Sequence, residues 1–205
     1  IVRTYNDKTP GDFYLYHADE NLITHLAIVN PNIQREQMSD MVPAGFVARD
    51  GLPITGYLTI PKGSKGKDLP TVILVHGGPT ARDYWGYRAD VQLLASRGYA
   101  VLQINFRGSY GYGKNFTTAG FKEWGKKMQD DITDGANWLI KEGIADKNKI
   151  AIFGSSYGGY AALAGATFTP DMYACAISYV GPSNLFTLLN NLPSYWEPEK
   201  EMLYE

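Results

Sequence analysis

The chain has 205 residues, 44% hydrophobic and 20% charged, with a net charge of −2 at neutral pH, which excludes a disordered segment and describes an ordinary globular domain. A near-neutral balance without a Lys/Arg cluster offers no field for nucleic acid, and no apolar run approaches the ~20 residues of a membrane helix. The single cysteine, Cys175, excludes an intramolecular disulfide; in its apolar surroundings it is expected to be a buried core thiol. Ile1 is not a natural start, so the N-terminus is read as cut and the compartment stays open.

Residues 12–29 predict a hairpin. Phe13, Tyr14, Leu15 and Tyr16 form an aromatic strand, residues 18–21 a polar turn and residues 22–29 a second strand. Two strands are marginal alone in water, so this hairpin is expected to belong to a larger β domain. Residues 30–41 are polar, contain a proline and show no period, which suits a linker. Two short strands follow at 45–48 and 54–60, turned by Asp50-Gly51, and residues 61–70 form a loop.

From Thr71 the pattern alternates strand and helix, which predicts a parallel sheet covered on both faces. Strands are expected at 71–76, 100–105, 149–153 and 174–180. Helices are expected at 89–97, from 114 to about 127, at 130–142 with Ile132, Ala136, Leu139 and Ile140 on one stripe, from Ser156 to about Phe168, and beginning near Ser183.

Residues 150–160 read Ile-Ala-Ile-Phe-Gly-Ser-Ser-Tyr-Gly-Gly-Tyr, an apolar strand running into small residues that open a helix. Only Ser156 has glycines at both required offsets, Gly154 and Gly158, because Phe153 stands where Ser155 would need one. A serine on such a strained strand-to-helix turn needs those glycines, since side chains there would meet the facing strand and helix. Its hydroxyl is left at a helix N-terminus, where backbone N–H groups favour a developing negative charge. Ser156 is therefore the candidate nucleophile.

Three motifs stand in order: His76-Gly77-Gly78-Pro79 after a strand, Asn105 to Gly113 (Asn-Phe-Arg-Gly-Ser-Tyr-Gly-Tyr-Gly) after the next, and Gly154 to Tyr160 at the elbow. Together they resemble the prolyl oligopeptidase family of serine peptidases, especially its acylaminoacyl-peptidase and dipeptidyl-peptidase-like branch. The resemblance implies an α/β-hydrolase fold, here truncated and preceded by a β-hairpin remnant of a propeller. Residues 1–41 would be the end of that upstream domain plus a linker, and 42–205 the first part of the catalytic domain. It implies Ser156 as nucleophile, and the N–H groups of Tyr157 and Gly78 as oxyanion donors. It implies a peptide substrate, and neither cofactor nor metal.

In this fold the acid and histidine follow the serine along the chain. His17, His25 and His76 all precede Ser156, so His76 reads as structural, and the two missing partners are expected beyond Glu205. The piece alone is then expected to be inactive, and a sheet cut short would expose an edge that invites self-association. Gly108 to Gly113 lacks the dinucleotide spacing and reads as a shaped loop braced by Arg107. Asp130, Asp131 and Asp134 read as helix-start acids, not metal ligands; Tyr195 and Trp196 read equally as pocket aromatics or core. A carboxylesterase on the same fold, or a non-catalytic binding relative, remains the alternative to a peptidase.

Overall fold

The computed structural model describes residues 1–194, Trp196 and Lys200. Among the described residues there are two separate sheets. The first is antiparallel, with β1 (Val2–Arg3), β2 (Asp12–His17) and β3 (Leu22–Ile28) in that order. The hairpin falls where the aromatic run and the polar turn placed it, and Asn21 takes the positive φ of the turn. Every residue of β3 is exposed, including Leu22, Ile23, Leu26 and Ile28, so this sheet encloses no core of its own.

The second sheet has six strands: β4 (Met41–Val47), β5 (Pro53–Thr59), β6 (Leu69–Val75), β7 (Ala100–Asn105), β8 (Ala145–Ser155) and β9 (Cys175–Tyr179). Their order is β4-β5-β7-β6-β8-β9. The β4–β5 and β5–β7 pairs are antiparallel, and β7, β6, β8 and β9 run parallel. Alternation along the strands separates two cores. Ile73, Val75, Leu102, Ile104, Ile150 and Ile152 pack with helices α3 (Lys127–Lys141) and α4 (Tyr157–Phe168). On the other face Leu74 and Val101 meet Val91 of α1 (Ala89–Ser96) and Met41. Each such aliphatic side chain contributes roughly 1.5–3 kcal/mol on burial.

Several boundaries differ from the sequence reading, each for a local reason. Strand β4 begins at Met41 and carries Pro43; a residue without an N–H is tolerated because β4 is the sheet edge. Strand β6 begins at Leu69, and its register with β8 shifts around Pro70. The helix expected over 114–127 is only Lys114–Thr118, here α2. Gly120 ends it: a Cβ there would sit 2.5 Å from the Gly108 Cα, so the backbones touch and the chain must turn before α3 starts. Helix α5 spans Leu185–Asn190, with the Asn184 side chain accepting from the Thr187 N–H. Cys175 is not buried: it lies on β9, the opposite edge strand, whose five residues are all exposed. Among the described residues β9 is paired with β8 on one side only, so the apolar neighbours of Cys175 in sequence do not enclose it.

The small sheet is tied to the larger one by polar contacts. Asp7 Oδ2 accepts the Met41 N–H at 2.8 Å. The buried Gln92 side chain donates to the carbonyls of Asp7 and Ser39 and accepts the Ser39 N–H, all at 2.9 Å.

A buried ion cluster fixes the loop after β7. Arg107 donates from Nε and Nη2 to Asp131 of α3 and from Nη1 and Nη2 to Asp50, at 2.7–2.9 Å, while its backbone N–H also bonds Asp131. The guanidinium holds the Asp50 carboxyl at about 2, below the 3.8 of a free aspartate. Because the folded value is the lower one, Asp50 stabilises the fold fully above about pH 4 and loses that contribution as pH falls toward 2. Thermal melts from pH 5 to pH 2 should therefore converge for the native chain and Asp50→Asn. A constant gap across that range would show that Asp50 stabilises through something other than its charge.

Candidate active site

Three loops leave the same end of the parallel strands: residues 76–88 after β6, 106–113 after β7, and the turn into α4 after β8. The pairings Val75↔Ile104 and Val75↔Gly154 bring their starting points level, in the crevice outside the carboxyl ends of the strands where α/β sheets bind ligands. Asn105 ties the first two loops together. Its Oδ1 accepts the Asp83 N–H at 2.8 Å, and its Nδ2 donates to the Asp83 carbonyl and to Tyr112 Oη.

Ser156 occupies the turn between β8 and α4 with φ 57° and ψ −119°, a conformation that costs a serine roughly 1–3 kcal/mol and persists only where surroundings enforce it. The enforcing contacts are backbone to backbone. A Cβ on Gly158 would be driven into the Val75 carbonyl oxygen, and one on Gly154 into the Gly158 backbone. The strand, the elbow and the helix thus approach more closely than any side chain permits. Ser156 is exposed, and although it stands at the N-cap position its side chain makes no capping bond. Among the described residues nothing is hydrogen-bonded to its hydroxyl.

The loop after β6 lies directly against this turn. A Cβ on Gly77 would stand 3.3 Å from the Ser156 Cβ and 3.1 Å from the Ser155 carbonyl oxygen. Gly78 has φ +126°, and a Cβ there would come within 2.6–2.7 Å of the Ala81 and Thr80 nitrogens, so only glycine fits. Among the described residues the N–H groups of Gly78 and Tyr157 donate to no protein carbonyl. For Tyr157 this follows from its place in the first turn of α4, where no intrahelical acceptor exists.

The three histidines are placed apart from Ser156 chemically. His17 and His25 stand on the small sheet, bonded to Thr24 and paired with Asp12. His76 is buried, and both ring nitrogens are engaged, with the Gly77 carbonyl and the Ser109 hydroxyl. Burial lowers its pKa, and the nearby charges of Arg88 and Arg82 push the same way. Asp130, Asp131 and Asp134 do not merely complement the helix dipole. Asp131 binds Arg107, and the other two bind Arg49 at 2.7–2.8 Å. Trp196 is exposed, and Tyr195 lies outside the described residues. The sequence reading assigned no role to Asn105 or Ser109; the signal was a polar residue closing an otherwise apolar strand, and a small hydroxyl in the following turn.

The Tyr157 side chain faces away from the crevice, packed against Phe106, Trp124 and Tyr160 with ring centroids 4.6–6.0 Å apart. Its hydroxyl is buried without a partner among the described residues, and burial pushes the phenol well above its ordinary value. Removing an unpaired buried hydroxyl relieves a desolvation cost of order ~1 kcal/mol. Tyr157→Phe should therefore melt at the same or a slightly higher temperature, with the backbone amide unchanged. A fall in melting temperature would mean that the hydroxyl is bonded after all.

A mostly parallel sheet of this order, with a strained serine between a central strand and the helix behind it, defines an α/β-hydrolase domain. The family model for the prolyl oligopeptidase family matches residues 85–202, and the chain belongs to that family. It is 44% identical to dipeptidyl aminopeptidase BIII of Pseudoxanthomonas mexicana, an alignment covering 98% of this chain and 32% of that protein. It is 39% identical to dipeptidyl peptidase family member 6 of Caenorhabditis elegans over 96% of this chain and 29% of the other. Among solved structures, the acylaminoacyl peptidase of Pyrococcus horikoshii superposes with a TM-score of 0.81 at 27% identity, over 99% of this chain and 33% of that one. The chain spans about a third of the length of the curated relatives it matches.

Proposed function

We propose that this chain carries the nucleophile and the oxyanion site of a serine peptidase that hydrolyses short peptides through an acyl-enzyme. The observation that supports this most is the Ser156 hydroxyl, exposed and uncapped on a strained turn that touches Gly77. In the reaction, Ser156 Oγ attacks the scissile carbonyl carbon. The tetrahedral oxyanion is held by the N–H groups of Tyr157 and Gly78, which need no reorganisation as charge develops. The seryl proton passes to a general base and then to the leaving amine. His76 is unsuited to that role because its ring is occupied elsewhere, so the base and its acid are assigned to residues after Ser156, in the chain order of this fold.

The change of sheet supports a boundary at the start of β4, with residues 1–40 as the end of an upstream domain plus its linker and 41–205, Met41 being the first residue of β4, as the catalytic domain. The names of the relatives favour peptides cut from the N-terminal end as substrates. Fluorophosphonate labelling of the full-length chain tests the reading. Labelling that disappears in Ser156→Ala supports it, and labelling that persists there removes Ser156 as nucleophile. Comparing dipeptidyl anilides with short acyl esters then separates a peptidase from an esterase.

A further inference from the structure

The loop after β6 carries a cation that has no counter-charge among the described residues. Arg88 pairs with both Asp83 and Asp90, which leaves Arg82 as the excess positive charge of this loop. Its Nε–H donates to the Asp83 carbonyl, and Nη2 donates one N–H to Tyr112 Oη at 2.8 Å. A guanidinium has five N–H donors, so three remain, on the Nη1 and Nη2 edge. Glycine at 111 keeps a side chain off that edge: its φ is +89°, and a Cβ there would stand 2.8 Å from Arg82 Nη1. The group is also held in place. Its Cζ lies 4.7 Å and 4.4 Å from the ring centroids of Tyr84 and Tyr112, and Tyr112 Oη is bonded in turn to Asn105. A half-buried, oriented fork with N–H groups to spare fits a carboxylate, which takes two parallel N–H bonds.

The path of the loop keeps this cation near Ser156. Gly77 lies against the Ser156 turn, and a Cβ on Gly78 would come 2.6 Å from the Ala81 nitrogen. The chain therefore doubles back at once, and the Arg82 Cα stays within roughly 10 Å of the Gly78 Cα. Its charge is felt at the His76 ring, which is bonded to the Gly77 carbonyl. An extended peptide advances ~3.4 Å per residue, so one whose scissile carbonyl sits at Ser156 reaches the guanidinium within about five residues. We propose that Arg82, framed by Tyr84 and Tyr112, is a specificity-determining residue that takes a carboxylate of the peptide substrate. A free α-ammonium is repelled there, so the carboxylate belongs to the part that leaves, as its C-terminus or an acidic side chain. This rests on the reading of Ser156 as nucleophile.

The test gives the full-length chain three peptides, each an N-terminal dipeptide followed by two leaving residues. One ends in a free carboxylate, one is its C-terminal amide, and one is an amide whose last residue is glutamate. With the native chain, kcat/KM for a carboxylate-bearing peptide should exceed that for the neutral amide about tenfold or more, mainly through KM, the scale of one charge-assisted pair. Preference for the free acid identifies the C-terminus as the source, and preference for the glutamyl amide identifies a side chain; either supports the proposal. In Arg82→Gln the preference should fall to about one, and Arg82→Lys, which keeps the charge without the fork, should hold an intermediate value. A residue that only tied the two loops together would slow acid and amide alike and leave their ratio unchanged. No preference in the native chain, or a ratio unaltered in Arg82→Gln, overturns the proposal. Turnover surviving in Ser156→Ala would instead defeat the reading of the site, with the ratio still deciding for or against Arg82.

Discussion

Replacing Ser156 with alanine is expected to lower kcat for a dipeptidyl anilide by on the order of 10⁵–10⁶ in the full-length chain, because the nucleophile and its proton acceptor act as one unit. The fold should survive, since that hydroxyl makes no hydrogen bond among the described residues. Ser156→Gly sharpens the expectation. A glycine takes φ 57° without a Cβ penalty, so this variant should be equally inactive yet melt higher than Ser156→Ala. Activity and stability are thus opposed at one residue, as expected where a strained backbone is retained for its chemistry. Turnover within tenfold of the native chain in either variant would place the chemistry elsewhere.

The largest effect on stability is expected at Arg107. Its side chain is 5% exposed and that of Asp131 is fully buried, so Arg107→Met leaves a carboxylate in the interior with its charged partner gone. Breaking a buried pair from one side costs roughly 3–5 kcal/mol. Removing both charges should cost less than removing one, because two apolar side chains of similar volume replace the desolvated pair. Urea titration followed by tryptophan fluorescence, with Trp124 and Trp138 against the same core, should place Arg107→Met/Asp131→Leu above Arg107→Met. If the double variant is the less stable, Asp131 contributes through its hydrogen bonds to the loop, not through charge balance. The cluster joins the turn at Asp50, helix α3 and the loop that carries Ser109, so its loss should also depress activity without touching Ser156.

Much of this was legible from residue patterns. Val72 to Val75 announce a strand covered on both faces, and their alternating neighbours in the two cores follow from strand geometry alone. The elbow was legible because its glycines are required by contacts between neighbouring segments: Gly154 meets Gly158, four residues on. Other features were not. Pro43 falls before the strand expected at 45–48 and Pro70 closes the loop expected at 61–70, yet both lie in strands, one at an edge and one beside a register shift. Cys175 read as core, and among the described residues its strand is paired on one side only and is exposed.

By itself the sequence determined the alternation of strands and helices, the hairpin at the start, and the serine held between two glycines, since each depends on residues within a few positions of one another. The tertiary structure alone decided which partners distant groups take. Arg107 meets Asp131 and Asp50 across 24 and 57 residues, and His76 meets Ser109 across 33. Such pairings depend on how the sheet orders its strands and brings their carboxyl ends together. A linear pattern carries the period of each element, but not the distance between two elements once both are packed.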